Sequence, residues 1–217
     1  MAGQGRGVEH PIVAAVYDLV VPERTLFAPQ RAALAAGLSG RVLEVGAGTG
    51  AMFPHVAREA TEGLEYHAIE PDPHMRRRAR RKARDAEVGV DLRDARAESL
   101  PYPDDAFDVV LSAMVFCTIA DPDAALEEAV RVLKPGGEFR FLEHVHADGT
   151  VGTGQDLLNP LWQRAAGGCH LNRRTVERFV CHDAFDVLAV ERLERPLSVV
   201  PFVRGRLRRR REAPLDG

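Results

Sequence analysis

The stretch Arg41-Val42-Leu43-Glu44-Val45-Gly46-Ala47-Gly48-Thr49-Gly50 decides the fold of this chain. Its first five residues are typical of a short strand, and glycines then occupy every second position. Glycine is needed where a chain turns sharply and where a ligand must approach without a Cβ in the way. The stretch therefore predicts a strand, a ligand-binding turn and a following helix, with the ligand beyond the carboxyl end of the strand.

Downstream of this turn, segments of strand length alternate with helical patterns. Strands are predicted over residues 41–45, 64–70, 88–92, 107–112, 138–144, 185–191 and 197–203. Helices are predicted over about 11–20, 23–36, 50–60, 71–86, 121–133, 153–166 and 173–182, with Asp121 as a helix cap. This alternation predicts an α/β fold, a Rossmann-like doubly wound sheet of seven mostly parallel strands. Little sequence separates the last two strands, so we expect one antiparallel edge strand.

The length of 217 residues suits one domain with short flanking segments. We assign residues 1–40 to N-terminal cap helices, 41–203 to the main domain and 204–217 to a basic tail. That tail carries six arginines against two acidic residues, so the remaining chain is acidic within a net charge of −3. An acidic body argues against a general nucleic-acid binder. We expect a solvated tail, with weak contact to a membrane surface as the alternative.

The sequence gives little indication of a membrane segment or of a cysteine framework. The longest apolar stretch, 106–120, contains Asp108 and is too short to cross a bilayer, and no signal-peptide pattern appears near Met1. We therefore expect a cytoplasmic protein. The three cysteines are Cys117, Cys169 and Cys181, and they form no CxxC pair. This spacing argues against a disulfide scaffold or a zinc knuckle, so no metal is predicted.

Two acidic residues accompany the glycine turn. Glu70 lies 20 residues past Gly50, at the end of the second predicted strand, where a carboxylate can accept hydrogen bonds from both hydroxyls of a ribose. Glu44 lies two residues before the first glycine, where it would repel a pyrophosphate and attract an ammonium or sulfonium group. The run Gly46-x-Gly48-x-x-Ala51 also satisfies the dinucleotide pattern. An NAD-dependent oxidoreductase and a non-catalytic nucleoside-binding module therefore stay open as alternatives.

Four motifs, in this order, resemble those of the class I S-adenosylmethionine-dependent methyltransferases, in the methyltransferase type 11 group. They are Leu43-Glu44-Val45-Gly46-Ala47-Gly48-Thr49-Gly50, Ala68-Ile69-Glu70-Pro71-Asp72, Ala97-Glu98-Ser99-Leu100-Pro101-Tyr102-Pro103-Asp104 with Phe107-Asp108-Val109-Val110, and Val132-Leu133-Lys134-Pro135-Gly136-Gly137. Together they cover about residues 41–144. Four ordered motifs are far more specific than one glycine turn.

A narrower resemblance points to the methyl acceptor. Leu142-Glu143-His144-Val145, Asn159-Pro160-x-Trp162 and Gly168-Cys169-x-Leu171-x-Arg173, together with Cys117, are similar to the mammalian methyltransferase-like proteins that methylate alkyl thiols. This resemblance implies a small, fairly apolar acceptor, with a thiol favoured. Quinone and phospholipid methyltransferases share the first four motifs and are the runner-up.

The resemblance also implies S-adenosyl-L-methionine as the cofactor and assigns its contacts. The methionine part would meet Gly46, Ala47, Gly48 and Gly50, with Glu44 near its ammonium and Ala113 beneath it. Glu70 would hold the ribose, Pro71 and Met75 would flank the adenine, and the backbone of Ala97 and Glu98 would meet the adenine edge. Tyr17 would cover the cofactor from above. Arg96 replaces an aspartate that many relatives carry, which weakens the assignments of Ala97 and Glu98.

At the acceptor end, His144 is the best-placed general base, at the carboxyl end of the fifth predicted strand, and Asp156 is a second candidate. Because a thiol has a pKa of about 8.5, a few per cent is already thiolate at neutral pH, and little activation is needed. The predicted acceptor pocket draws on Phe27, Met114, Phe116, Leu157, Leu158 and Trp162. Cys117 and Cys169 are interpreted as small packing residues.

Overall fold

The computed structural model describes residues 27–59, 61–193 and 200–211. Its strands are β1 (Arg41–Val45), β2 (Glu65–Ile69), β3 (Val90–Arg93), β4 (Phe107–Ala113), β5 (Leu133–His144), β6 (Phe185–Leu193) and β7 (Phe202–Arg209). Its helices are α1 (Ala28–Ala35), α2 (Phe53–Glu59), α3 (Pro73–Asp85), α4 (Pro122–Val132), α5 (Gly149–Ala165) and α6 (Thr175–Val180). No helix in these ranges is both long and apolar enough to cross a membrane.

The strands form one seven-stranded sheet in the order β3-β2-β1-β4-β5-β7-β6. Strands β1 to β5 pair in parallel, and β7 runs antiparallel to both of its neighbours. The predicted doubly wound fold with one antiparallel strand is confirmed; that strand lies one position in from the edge, which β6 forms. The strand order reverses between β1 and β4, and a crevice for ligands opens at such a switch point.

The last strand begins later than the sequence predicts. It runs over Phe202–Arg209 instead of 197–203, so residues 204–209, predicted as part of a solvated tail, lie inside the sheet. Arg204 pairs with Glu191, and Arg206 pairs with Glu138 at 2.8 Å. Buried Gly205 and Leu207 alternate with these arginines, a strand period that the charged run conceals. Residues 212–217 lie outside the described part of the chain.

Acidic caps fix where two helices begin. The Asp121 carboxylate accepts hydrogen bonds from the backbone N–H groups of Asp123 (3.2 Å) and Ala124 (3.0 Å), which confirms the predicted cap. Asp72 caps α3 in the same way. Helix α2 starts three residues later than predicted and α3 starts two residues later. The turns after β1 and β2, which lie at the crevice, are therefore longer than predicted.

Residues 1–26 of the predicted N-terminal cap lie outside the described residues. Only α1 represents it, and Leu34 and Ala35 of this helix are buried against the sheet. Tyr17, predicted to cover the cofactor, lies outside the described ranges as well. On the opposite face of the sheet an aromatic cluster packs Phe116, Phe139 and Phe179 edge to face. The crevice is thus supported by a packed core on both faces.

Candidate active site

A cavity of about 370 Å³ lies at the carboxyl ends of β1, β2 and β4. This volume falls within the roughly 300–1,000 Å³ that is usual for small-molecule sites. Among the described residues, all predicted cofactor contacts line it except Gly50. The lining members of that set are Glu44, Gly46, Ala47, Gly48, Glu70, Pro71, Met75, Ala97, Glu98 and Ala113.

The three glycines of the turn after β1 serve different purposes. Gly48 has φ +55°, and a Cβ built there would meet nothing within 4 Å, so this position faces open space in the cavity wall. A Cβ on Gly50 (φ +83°) would lie 2.8 Å from the ring of Phe53 and 3.1 Å from Cα of Ala79. Gly50 therefore lets α2 pack closely against α3 and does not line the cavity, whereas Gly48 keeps the wall free of a side chain.

Glu70 is buried at the end of β2, and backbone donors hold its carboxylate. Oε2 accepts a hydrogen bond from the N–H of Gly48 and Oε1 accepts one from the N–H of Asp72, both at 2.8 Å. Burial raises the pKa of Glu70, and these two hydrogen bonds oppose that shift. Each oxygen retains lone-pair capacity toward the cavity. The carboxylate is thus pre-positioned to accept further hydrogen bonds from a ligand.

Arg76 stabilises the turn that carries Glu70. Arg76 belongs to a run of basic residues on α3, yet only 9% of it is exposed. Its Nη1 donates to the carbonyl oxygens of Glu70 (2.5 Å) and Pro71 (3.1 Å), and Nη2 donates to Asp94 at 2.7 Å. It is buried because the helical period places it on the inner face of α3, away from its exposed neighbours.

Glu44 is a fully buried carboxylate beside the glycine turn. Its Oε2 accepts a hydrogen bond from the hydroxyl of Tyr66 at 2.9 Å. Burial raises the pKa of Glu44 to about 7, the Tyr66 hydrogen bond and the charge of Arg31 lower it, and the charge of Glu70 raises it. At neutral pH this group therefore lies at the midpoint of its titration until a cation approaches it.

Arg31 brings a positive charge to the same end of the cavity. It projects from α1, is buried, and lines the cavity with Glu44. Neither Arg31 nor Tyr66 could be identified from the sequence as a site residue, because a lone arginine on a short helix and a tyrosine in a strand belong to no recognisable motif. A carboxylate and a guanidinium side by side complement the ammonium and carboxylate of an amino acid.

The opposite wall of the cavity is mostly backbone and apolar. Ala97 and Glu98 lie there with Arg96, and the loop 118–120 completes the wall. Oε1 of Glu98 accepts a hydrogen bond from the N–H of Asp121 at 3.4 Å, which ties this wall to the start of α4. A planar, apolar ring with polar edges fits such a wall.

His144, the predicted general base, does not line the cavity. It is 3% exposed, and its Nε2 lies 3.2 Å from Sγ of Cys169. Cys117 completes a cluster in which the three donor atoms all lie within 4.8 Å of one another. Cys169 follows Gly168, which lines the cavity. The cluster therefore lies next to the cavity wall at Gly168.

The two cysteines of this cluster affect each other's ionisation. Hydrogen bonds from Cys117, His144 and Trp162 lower the pKa of Cys169 to about 4, against the effect of burial. The hydrogen bond to Cys169 and burial raise the pKa of Cys117. The pKa of His144 is raised because the favourable interactions with Cys169 outweigh burial, the largest single effect.

Glu143 anchors the loop that bears Cys117. Its Oε1 accepts hydrogen bonds from the hydroxyl of Ser112 (3.0 Å) and from the N–H groups of Val115 (3.0 Å) and Phe116 (3.2 Å). Burial raises the pKa of this carboxyl. As predicted from strand alternation, Glu143 points away from His144, and it serves the site by fixing loop geometry.

Most of the predicted acceptor pocket lies elsewhere. Phe116 belongs to the aromatic core, Phe27 packs against Phe202, and Leu157 on α5 is 81% exposed. Leu158 and Trp162 are also exposed, and Asp156 is an exposed residue that accepts from Asn172 at 2.9 Å. Only Met114 lines the cavity, with a left-handed φ of +65°. Apolar periodicity on α5 does not reveal which face meets the protein.

Comparison with known proteins identifies this architecture. A family model described as a methyltransferase domain matches residues 43–141. Human thiol S-methyltransferase TMT1A is 31% identical over 173 residues, 75% of this chain and 68% of that protein. Demethylmenaquinone methyltransferase of Thermus thermophilus is 40% identical over 103 residues, 48% of this chain and 46% of that protein. A putative methyltransferase from Bacillus halodurans shares the fold, with a TM-score of 0.68, 14% identity and coverage of 83% and 98%.

The chain belongs to the class I S-adenosylmethionine-dependent methyltransferases. It is an enzyme that takes its methyl group from S-adenosylmethionine and acts on a small molecule. The oxidoreductase and binding-module alternatives are thereby set aside. The cavity fits this donor, since buried Glu44 can face a cationic group and the wall at Gly48 carries no side chain.

Proposed function

We propose that this enzyme methylates the sulfur of a small, fairly apolar thiol. The observation that carries the proposal is the extent of its likeness to a thiol S-methyltransferase. That likeness spans 75% of the chain, whereas the likeness to the menaquinone enzyme spans 48%. The longer match necessarily reaches beyond residues 43–141, the part that the family model covers.

The cofactor end of the cavity is assigned by charge and hydrogen-bonding capacity. When bound, S-adenosylmethionine supplies a methyl group on a sulfonium. In this proposal Glu44 faces the ammonium and Arg31 faces the carboxylate of the methionine part. Glu70 accepts hydrogen bonds from the ribose hydroxyls, because both of its oxygens are already oriented by backbone donors. Four further residues complete the set: Pro71 and Met75 flank the adenine, with the backbone of Ala97 and Glu98 at its edge.

The chemistry of the cavity wall favours an acceptor that needs little activation. Among the described residues that line it there is no histidine, lysine or tyrosine. An alcohol would need a strong base to become nucleophilic, and a phenol has a pKa near 10, whereas a thiol ionises at about 8.5. His144 remains our candidate catalytic residue; its Nε2 contacts Sγ of Cys169, and His144 itself does not line the cavity.

A quinone or phospholipid acceptor is the second candidate. It is supported by the higher identity, 40%, to the menaquinone enzyme and by 34% identity over 114 residues to phosphatidylethanolamine N-methyltransferase of Cereibacter sphaeroides. Both matches cover half of the chain or less.

The proposal is tested with the purified chain, methyl-labelled S-adenosylmethionine and matched acceptors. An alkyl thiol is paired with the alcohol of the same chain length, beside a hydroquinone and vesicles of phosphatidylethanolamine. We expect labelled thioether from the thiol and no product from the alcohol. Labelled quinone or phospholipid without any thioether would overturn the thiol assignment and favour the second candidate.

A further inference from the structure

Cys117, His144 and Cys169 converge from three different elements. Cys117 follows β4, His144 ends β5, and Cys169 follows α5. Strands β4 and β5 pair in parallel up to Ala113 and Leu142, so their carboxyl ends lie together. Functional groups of open α/β sheets gather at these ends. The cluster therefore lies where the fold places its chemistry, yet binding of the methyl donor uses none of its members.

The donor set is one that thiophilic divalent ions prefer. Two thiol sulfurs and an imidazole nitrogen lie within 4.8 Å of one another. Zinc bonds of about 2.3 Å to sulfur and about 2.0–2.1 Å to nitrogen would place such donors roughly 3.5–4 Å apart in a tetrahedron. Three protein ligands with the fourth position open are typical of catalytic zinc sites, while structural sites are closed by four.

The surroundings suit an ion with two thiolate ligands. Cys117 and His144 are buried, and a divalent cation with two thiolates has no net charge, which removes the cost of isolated buried ions. The Arg173 guanidinium donates to the carbonyl oxygens of Phe116 and Ile119, both at 2.6 Å, so it fixes the loop around Cys117. The indole of Trp162 donates to the sulfur of Cys169, a contact typical of the shell around a metal thiolate.

None of the three cluster residues lines the ligand cavity, but neighbouring residues in the chain do. Val115 and Thr118, which flank Cys117, line the cavity, as does Gly168, which precedes Cys169. Cys169 itself is half-buried, while the other two cluster residues are fully buried. An ion held between the three donors would therefore be reached from the cavity through the wall that these neighbours form.

We propose that Cys117, His144 and Cys169 bind a Zn²⁺ ion whose fourth position takes the sulfur of the acceptor thiol as a thiolate. This inference rests on the proposed function. The acceptor S–H bond breaks as the Zn–S bond forms, and the proton passes to water. The thioether C–S bond then forms while the bond between the methyl carbon and the donor sulfonium breaks. The neutral thioether is a weaker ligand than a thiolate, so the product leaves.

Coordination through Nε2 leaves the proton of His144 on Nδ1. This atom is buried and has no hydrogen-bond partner among the described residues. An unpaired buried N–H is a cost, but it is small beside the binding free energy of zinc ions held by cysteine and histidine. Nε2 is the nitrogen that faces Sγ of Cys169, so the tautomer needed for coordination has its lone pair on the correct side.

The test measures metal binding separately from methyl transfer. The full chain is purified under reducing conditions and titrated with Co²⁺ and then Zn²⁺, and zinc content is measured by mass spectrometry. Cys169→Ser is the main variant because its half-buried position tolerates a smaller atom. Cys181→Ser is the matched control, since this exposed cysteine lies outside the cluster. Circular dichroism verifies that each variant is folded.

We expect one zinc per wild-type chain. The cobalt-loaded protein should show thiolate-to-cobalt absorption bands that an alkyl thiol shifts in the absence of S-adenosylmethionine. The zinc affinity of Cys169→Ser should be at least about 100-fold weaker than that of Cys181→Ser. Equal zinc affinity of the two variants, cobalt bands unchanged by thiol, or a Cys117–Cys169 disulfide in the active enzyme would each overturn the inference. Thiol methylation without zinc would refute this inference alone. Zinc and thiol binding without any thioether would refute the proposed function alone.

Discussion

The buried carboxylate of Glu44 gives the cofactor site a pH dependence with a defined sign. Its pKa is about 7 in the ligand-free protein because burial disfavours the charged form. A ligand ammonium favours the ionised carboxylate, so the ligand binds more tightly as Glu44 loses its proton. Affinity for S-adenosylhomocysteine should therefore rise as the pH rises from 5.5 to 7. At higher pH it should fall again, once the ammonium of the ligand loses its proton.

The size of this effect follows from the pKa. If Glu44 is ionised in the complex at pH 5.5 and titrates near 7 without ligand, the dissociation constant falls on the order of 10-fold from pH 5.5 to pH 7, roughly 1–2 kcal/mol. The charged and titratable groups facing Glu44 are Tyr66 on β2, Arg31 on α1 and Glu70 after β2. Tyr66→Phe removes a hydrogen bond that lowers the pKa, so it should shift the midpoint upward.

Isothermal titration across this pH range provides the assay. Glu44→Gln should abolish the rise in affinity between pH 5.5 and 7. Glu65 is an exposed carboxylate of β2, and Glu65→Gln should leave that rise unchanged. Methylthioadenosine lacks the amino-acid part and should bind with little pH dependence. If affinity still rises between pH 5.5 and 7 in Glu44→Gln, or rises equally with methylthioadenosine, Glu44 is not the source of the pH dependence.

Four further outcomes are expected. Gly50→Ala should destabilise the fold by about 1–3 kcal/mol through overpacking, whereas Gly48→Ala should cost only about 1 kcal/mol of backbone strain and weaken cofactor binding more; chemical denaturation and titration separate the two. Glu70→Ala should weaken S-adenosylhomocysteine by roughly 1–3 kcal/mol but leave a 2′-deoxy analogue less affected, and equal losses would exclude the ribose contact. Arg31→Gln should weaken S-adenosylhomocysteine about 10-fold and spare methylthioadenosine, and a change in both would exclude the carboxylate contact. The pKa of Glu44 is higher in the folded than in the unfolded protein, so this group stabilises the fold below about pH 4.5. That stabilisation, on the order of 1–3 kcal/mol, is lost as the pH rises through 7. Urea unfolding of Glu44→Gln should lack this pH dependence.

The sequence predicted the fold well because its signals are local and repeated. The glycine turn after β1 and the Asp121 cap are set by backbone conformation, which short-range chemistry controls. The start of β7 could not be predicted, because its strand period depends on Gly205 and Leu207 fitting under neighbouring strands among charged residues. A Cβ on Gly205 would lie 2.3 Å from the Phe141 ring, a contact that only the folded sheet reveals.

The cofactor wall was predictable for the same reason, whereas the acceptor end was not. Glu70 and the glycines belong to one continuous β1–α2–β2 unit, so their spacing in the sequence indicates their position. Cys117, His144 and Cys169 lie 27 and 25 residues apart in sequence order and meet only because β4, β5 and α5 end at one edge. Spacing rules for metal sites look for close pairs of ligands, so they give no signal for residues this far apart in the sequence.

The central claim is that one crevice holds a sulfur nucleoside by its sugar and its amino-acid part. A crystal structure of the full chain with S-adenosylhomocysteine tests it most directly. The account predicts ribose hydroxyls within hydrogen-bond distance of the Glu70 carboxylate, the ammonium beside Glu44, and the ligand sulfur toward the wall formed by Val115 and Gly168. A nucleoside bound elsewhere, or bound here with its sugar away from Glu70, would contradict the account.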